Sequence, residues 1–210
     1  MEKEKKVKVN QSRLFIIIGS FLFLIGLGLF VGRLYYIHFL NQRDEMSVEE
    51  FFETDVSSNI SDTSSDENQE RQEIYHYIGV LEIPKIKFQR GFFSIDDKNN
   101  DIEKNIQVMD YSDMPNIKNG NLVISGHTGN SRVGFFTKLS QLDIGDLANV
   151  YYDGIKYVYQ LENRYERQKT GKIEIIKDDD QTCLTLITCD INDNTKQVVY
   201  IFKLTRSEKY

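Results

Sequence analysis

The chain has 210 residues, enough for one domain of ordinary size with additional segments. It carries 26 basic and 32 acidic side chains, two cysteines, three histidines and no tryptophan. No basic patch indicates nucleic acid binding. The cysteines lack the paired Cys-x-x-Cys spacing of a structural zinc site, so we expect neither a metal nor another cofactor.

The first predicted element is an apolar segment near the N-terminus. Leu14 to Val31 is an unbroken run of 18 apolar, glycine or serine residues, and the predicted transmembrane helix spans residues 14–33. Basic residues dominate residues 1–13, which predicts a cytoplasmic tail. A cleaved signal peptide is the alternative, but the run exceeds a usual h-region and no Ala-x-Ala-like site follows. The sequence therefore predicts a single-pass protein of the cell membrane, held in the lipid bilayer, with its folded domain extracellular.

An acidic segment follows the apolar run. Between Asp44 and Ile74 there are eleven acidic residues, and Arg71 is the single base. Such a composition buries too little apolar surface to offset its ordering entropy, so we expect a disordered spacer over residues 34–74. From Tyr75 onward the chain is close to neutral, with 18 basic and 19 acidic residues. The excess of acidic residues in the whole chain therefore comes from the spacer, and it gives no information about a substrate.

Residues 75–210 are predicted to fold as one mainly β domain. About eight short strands with tight turns favour a closed β-barrel or a sandwich. Short helices are expected at residues 100–106 and 135–142. Asp153-Gly154 is a strong hairpin signal. The strand-like runs are Ile78–Ile83, Gly120–Ser125, Leu147–Tyr152, Ile155–Leu161, Cys183–Thr188 and Val198–Leu204.

The two cysteines lie on one strand-like run. Six extended residues separate their α-carbons by roughly 20 Å, whereas a disulfide needs less than about 7 Å. We therefore expect Cys183 to pack in the core. Cys189 stands where the strand ends and a polar turn begins, so its thiol is within reach of a substrate.

His127 is the histidine best placed for chemistry. It follows a buried strand and lies between Gly126 and Gly129, which allow a close approach of substrate or loop. Cysteine and histidine together are the parts of a thiol acyl-transfer centre. On spacing alone, a structural histidine remains the alternative at this point.

Four segments resemble those of sortases, the membrane-anchored transpeptidases of Gram-positive bacteria. Thr185–Cys189 resembles their Thr-Leu-x-Thr-Cys signature, and Gly120–His127 resembles their histidine strand. Leu81–Ile86 is similar to their opening strand and Leu142–Asp146 to a later segment, so the resemblance covers residues 75–204 in order. It implies an eight-stranded β-barrel with one or two short helices.

The resemblance also implies roles for individual residues. Cys189 is then the catalytic nucleophile, His127 its partner and Thr188 a substrate-binding residue. The family has an arginine eight residues after the cysteine, whereas this chain has Gln197, an uncharged donor. Gln197 could position the substrate or the oxyanion, or a loop arginine could supply the charge. Arg132, Arg164 and Arg167 are the candidates.

The implied reaction is acyl transfer. A C-terminal sorting signal of secreted proteins is cleaved through a thioester, and the protein passes to an amine of the cell-wall precursor. Two alternatives stay open: a cysteine hydrolase that uses the same pair, and a weakly active or inactive sortase-like barrel that binds peptides. Gln197 motivates the second alternative.

Overall fold

The structure is a computed structural model that describes residues 11–57, 75–177 and 180–210. The chain divides into two compact units, one ending at Gln42 and the other running from Arg43 to Tyr210. The helix α1, Gln11–Ser57, supplies most of the first unit, and its last turns belong to the second. Among the described residues, α1 is the one helix long and apolar enough to cross a membrane. Its large apolar side chains, such as Phe15 and Leu29, are exposed, as a lipid-facing surface requires.

The acidic segment departs from the sequence prediction, because α1 continues through it to Ser57. Asp44 and Ser47 are buried within the second unit. Phe52 packs edge-to-face against Tyr151 and Tyr210 at ring-centroid distances of 5.0 and 5.7 Å. Contacts spaced three to five residues apart make one helix face, which net charge alone does not show. The remainder of the predicted spacer, residues 58–74, lies outside the described residues.

Eight strands form one sheet that curves into a nearly closed barrel, which confirms the predicted fold. The strands are β1 Gly79–Ile83, β2 Phe88–Phe92, β3 Gln107–Val108, β4 Asn121–Ser125, β5 Leu147–Tyr152, β6 Ile155–Gln168, β7 Cys183–Cys189 and β8 Lys196–Lys209. Their order is β2-β1-β5-β6-β8-β7-β4-β3, with all neighbours antiparallel except the parallel pair β4 and β7. The segment before β3 reaches β2 at the opposite edge, where the Asn105 side chain donates to Gly91 O at 2.8 Å.

The short helices agree with the sequence in part. A 3₁₀ helix at Thr137–Gln141 lies within the second predicted helix, and another at Pro84–Ile86 follows β1. Residues 100–106 form turns instead of a helix. The Asn100 side chain explains this difference, because it donates to Val108 O and accepts from Val108 N, both at 2.8 Å. An asparagine used in this way offers the backbone an alternative to helical bonding.

The sheet buries apolar side chains on both faces. Inside the barrel, Leu184, Leu186 and Tyr200 belong to the main core. On the outer face, Cys183 and Ile187 form a smaller cluster against which the chain after β6 packs through residues such as Ile175. Cys183 is fully buried there and is not joined to Cys189, as the spacing predicted. Strand alternation puts Cys189 on this outer face.

Arg90 on β2 connects three parts of the second unit. Its guanidinium donates to Asp44 at 2.9 Å and to Asn105 at 2.5 Å, and it lies 3.9 Å from the ring centre of Phe135. The side chains of Arg90 and Asp44 are only 12% and 10% exposed. Removing one partner of a largely buried ion pair leaves the other charge without compensation.

We expect Arg90→Met to lower the free energy of unfolding of the second unit by about 3 kcal/mol, the lower limit for a buried pair, because both side chains keep some exposure. Denaturant unfolding of the full chain in detergent, followed by tyrosine fluorescence, measures this change. Lys85→Met is the matched control, because Lys85 pairs with Asp143 and Asp146 at 2.6 and 2.7 Å on an exposed surface. Equal loss in the two variants would contradict a special role for Arg90.

Candidate active site

His127 lies just after β4 and Cys189 is the last residue of β7, and these adjacent parallel strands end on the same side of the sheet. The pairing of β4 with β7 runs from Asn121 opposite Cys183 to Ser125 opposite Ile187, a constant offset of 62 residues. His127 and Cys189 are separated by the same 62 residues. Gly126 N still donates to Ile187 O at 3.1 Å beyond the last paired position. Continued by two residues, this register places the backbones of His127 and Cys189 at equivalent positions of neighbouring chain segments.

Two threonines fasten the chain around this edge. Thr188 Oγ1 donates to Gly126 O at 2.8 Å, and Thr128 Oγ1 donates to Cys189 O at 2.8 Å. The two hydroxyl oxygens are also in contact. Thr128 directly follows His127, and Thr188 directly precedes Cys189. Their hydrogen bonds therefore fix the backbone of each reactive residue to the neighbouring chain segment. Substrate binding by Thr188 stays a prediction, and its buried hydroxyl already bonds within the protein.

Cys189 opens into a small pocket at the end of β7. The thiol-bearing residue is partly exposed, and the pocket is shared with Thr188 and Arg164. Lys169 Nζ lies 3.6 Å from Cys189 Sγ. A thiolate is the reactive form of cysteine, and a neighbouring cation favours it. The sequence analysis did not single out Lys169.

His127 has a carboxylate partner that the sequence analysis also missed. His127 Nε2 and Glu103 Oε1 are 3.0 Å apart, with the two side chains 31% and 73% exposed. A carboxylate at this distance stabilises the positively charged imidazolium. Glu103 lies in the turns before β3. An imidazole beside a carboxylate has the parts needed to take up and donate a proton.

Gln197 stands beside Cys189 on the next strand. In the antiparallel pairing of β7 with β8, Cys189 is directly opposite Gln197, and across the following pair Gln197 is opposite Arg167. Directly opposed residues point to the same face of a sheet. Gln197 and Arg167 therefore share the outer face with Cys189.

Lys196 points to the other face, as strand alternation predicts. Its ammonium pairs with Glu166 at 3.0 Å and with Asp193 at 3.9 Å. The hydrogen bond to Glu166, and then the negative charge of the same carboxylate, raise the pKa of Lys196. This cation is therefore engaged by carboxylates.

The three candidate arginines occupy different places. Arg132 lies in the chain after His127, 4.0 Å from Asp44 Oδ2. Arg164 and Arg167 lie on β6, which extends beyond its predicted end to Gln168. Arg164 lines the Cys189 pocket, where its guanidinium lies 3.4 Å from Ser140 O. The guanidinium of Arg167 lies 4.8 Å from the ring centre of Tyr165.

Across the described ranges, no three His, Cys, Asp or Glu side chains converge in a way that could hold a metal ion.

The sequence of this chain is similar to those of known proteins. The model of the Sortase family, described as a sortase domain, matches residues 81–205. Sortase A of Bacillus anthracis is 23% identical over 210 residues, which covers 91% of this chain and 94% of that protein.

Solved structures share the barrel. Sortase A of Listeria monocytogenes has a TM-score of 0.54 at 21% identity, covering 64% of this chain and 90% of that one. A Clostridium perfringens sortase D5 transpeptidase has a TM-score of 0.56 at 18% identity, covering 79% and 98%. At these identities the structural likeness shows the fold. The family match spans more than half of the chain and includes both His127 and Cys189. The chain belongs to the sortase family of transpeptidases.

Proposed function

We propose that this chain is a membrane-anchored cysteine transpeptidase that attaches secreted proteins to the cell wall. The observation that carries the proposal is the constant offset of the parallel strands β4 and β7, which brings His127 and Cys189 to one edge. Its substrates are proteins with a C-terminal sorting signal, and its acceptor is an amine of the cell-wall precursor. The family membership supports this general chemistry, and the site supplies the residues for it.

The first step forms a thioester. The Cys189 thiolate attacks the scissile carbonyl carbon of the sorting signal, so that a carbon–sulfur bond forms and the carbonyl oxygen takes the negative charge. Collapse of this intermediate breaks the carbon–nitrogen bond. The departing amine takes its proton from the His127 imidazolium, which the carboxylate of Glu103 stabilises at 3.0 Å. The C-terminal fragment leaves and the acyl group remains on sulfur.

The second step releases the protein. The nitrogen of the acceptor amine attacks the thioester carbon, a new carbon–nitrogen bond forms and the carbon–sulfur bond breaks. Neutral His127 accepts the proton that the amine loses, and the thiolate of Cys189 returns. The proton given up in the first step is thus recovered, and no oxidant or reductant is consumed.

The helix α1 supports the anchored location. It is long and apolar enough to cross a bilayer, and the basic residues 1–13 favour a cytoplasmic N-terminus. The folded unit would then face the cell wall, where both substrate and acceptor are found.

Gln197 supports a second candidate, a sortase-like barrel that binds peptides with little or no turnover. A neutral donor contributes less than a charged one, about 0.5–1.5 against about 1.5–3 kcal/mol per hydrogen bond. Loss of an oxyanion donor typically costs about 10²–10³ in rate. Gln197 at the family arginine position, considered by itself, therefore predicts a slow enzyme.

One experiment separates these functions. The full chain in detergent is incubated with a library of sorting-signal peptides, with and without an amine acceptor, and the products are weighed by mass spectrometry. We expect peptide–acceptor conjugates when the amine is present. Hydrolysed peptide alone, unaffected by the amine, indicates a cysteine hydrolase. Peptides that bind without any covalent product indicate the inactive barrel.

A further inference from the structure

Lys169 is the first residue after β6, and the backbone holds it towards the cysteine. Its amide donates to Thr195 O at 2.8 Å, which continues the pairing of Gln168 with Lys196. Lys169 is two positions after Arg167, so both lie on the outer face that carries Gln197 and Cys189. The lysine side chain extends across β8, and its ammonium reaches Cys189 Sγ at 3.6 Å.

We propose that Lys169 is a catalytic residue that supplies Cys189 with the positive charge missing at Gln197. In this chain the cation lies at the end of β6 instead of on β8, one strand further from the thiol. The longer reach is met by the flexible four-carbon stem of lysine. This inference rests on the proposed function for its role in turnover, but its effect on the thiol can be measured without any substrate.

The other nearby cations are engaged elsewhere. Lys196 is on the opposite face and pairs with Glu166 and Asp193. Arg164 directs its guanidinium to Ser140 O and to the ring of Tyr200. Arg167, which shares the face of Cys189, donates to Glu166 O at 3.2 Å and lies 4.8 Å from the ring centre of Tyr165. By contrast, no carboxylate among the described residues lies within ion-pair distance of the Lys169 ammonium.

The contact can act at two stages of the reaction. Before substrate arrives, the ammonium stabilises the negative charge on sulfur by direct attraction. During attack, the electron pair on sulfur forms the new carbon–sulfur bond, and negative charge appears on the carbonyl oxygen. Three donors on a rotatable stem allow Lys169 to follow that charge. A single cation thus serves both the thiolate and the oxyanion.

The first test is alkylation of Cys189 by iodoacetamide, in which a carbon–sulfur bond forms and iodide leaves. For the full chain in detergent at neutral pH, we expect Lys169→Met to slow this reaction roughly tenfold, as for loss of a strong but solvent-exposed charge contact. Lys172→Met, which removes an equal charge from an exposed residue of the same segment, should leave the rate unchanged. The wild-type rate should fall in 1 M salt, where the screening length is about 3 Å, while the Lys169→Met rate should not.

The second test uses turnover of a sorting-signal peptide. We expect Lys169→Met to reduce kcat/KM by about 10²-fold and Lys169→Arg to retain most of it. Adding Gln197→Arg to Lys169→Met should restore at least a tenth of the wild-type value, because the charge returns at the family position. Equal alkylation rates for wild type and Lys169→Met overturn the proposal. If wild type turns over no peptide yet its alkylation depends on Lys169, the proposed function fails while the contact stands.

Discussion

Cys189→Ala should abolish the acyl adduct that forms when the chain meets a sorting-signal peptide. Without sulfur the protein offers the carbonyl carbon no nucleophile, so no covalent acyl adduct can form. Removal of a catalytic nucleophile commonly costs more than about 10⁴ in rate. Intact-mass spectrometry of the mixture measures the adduct directly, as a mass increase equal to the acyl fragment.

Cys183→Ala is the matched control for this prediction. Cys183 is on the same strand but is fully buried on the outer face of the sheet, so a substrate cannot reach its sulfur. We expect this variant to lose some stability through the cavity and to keep the adduct. An adduct that survives in Cys189→Ala, or disappears in a folded Cys183→Ala, contradicts the assigned nucleophile.

The shared location of the candidate pair, His127 and Cys189, could be anticipated from the sequence for a physical reason. A strand presents the residues at its end at one end of the sheet. His127 comes two residues after Ser125, and Cys189 comes directly after Thr188. What the spacing could not reveal is the direction of pairing. The parallel alignment of β4 with β7 turns two separate strand ends into one site, and it depends on tertiary contacts far from either motif.

The length of β6 and β8 could not be read from the sequence. Apolar alternation predicted that β6 ends at Leu161, yet it continues through charged residues to Gln168. The two strands pair with each other along most of their length, so the backbone ladder maintains them where no core face does. The contact of Lys169 with Cys189 follows from this extension. With the predicted end of β6 at Leu161, Lys169 would lie in a loop whose position the sequence does not indicate.

The helical face of residues 43–57 was hidden for a different reason. The segment is acidic, and a high net charge is typical of a solvated, disordered chain. The buried positions are few and include polar residues such as Asp44 and Ser47, which acquire partners only in the folded chain. Ser47 Oγ accepts from Tyr75 N at 2.9 Å, for example, across 28 residues of sequence. Partners this distant leave no local signal.

Two charged side chains that the sequence did not reveal, Glu103 and Lys169, lie beside the two reactive residues. Glu103 lies beside His127 and Lys169 lies beside Cys189, at 3.0 and 3.6 Å. Each of the two reactive side chains therefore has a charged neighbour, and the sign of that neighbour is opposite to the charge that the proposed first step gives the side chain.

The largest effect after loss of the nucleophile is expected from His127→Ala. A positioned general acid contributes about 10²–10⁴ in rate, so kcat for a peptide substrate should fall by about 10³. His76→Ala serves as the control, because His76 is exposed and lies in a separate pocket with Tyr75 and Tyr77. Steady-state release of the C-terminal fragment, followed by chromatography, gives both values.

The chemistry of the leaving group shows whether His127 acts as the proton donor. An amine leaves only with a proton, whereas the thiolate leaving group of a thioester departs without one. In the His127→Ala variant, we therefore expect a thioester analogue of the sorting signal to acylate Cys189 within about tenfold of the wild-type rate. The peptide substrate should not acylate Cys189 in the same variant. Should the variant lose thioester and peptide acylation to the same extent, His127 is needed to form the thiolate and not to protonate the departing amine. The alkylation rate with iodoacetamide then falls in parallel, because that reaction has no amine to protonate.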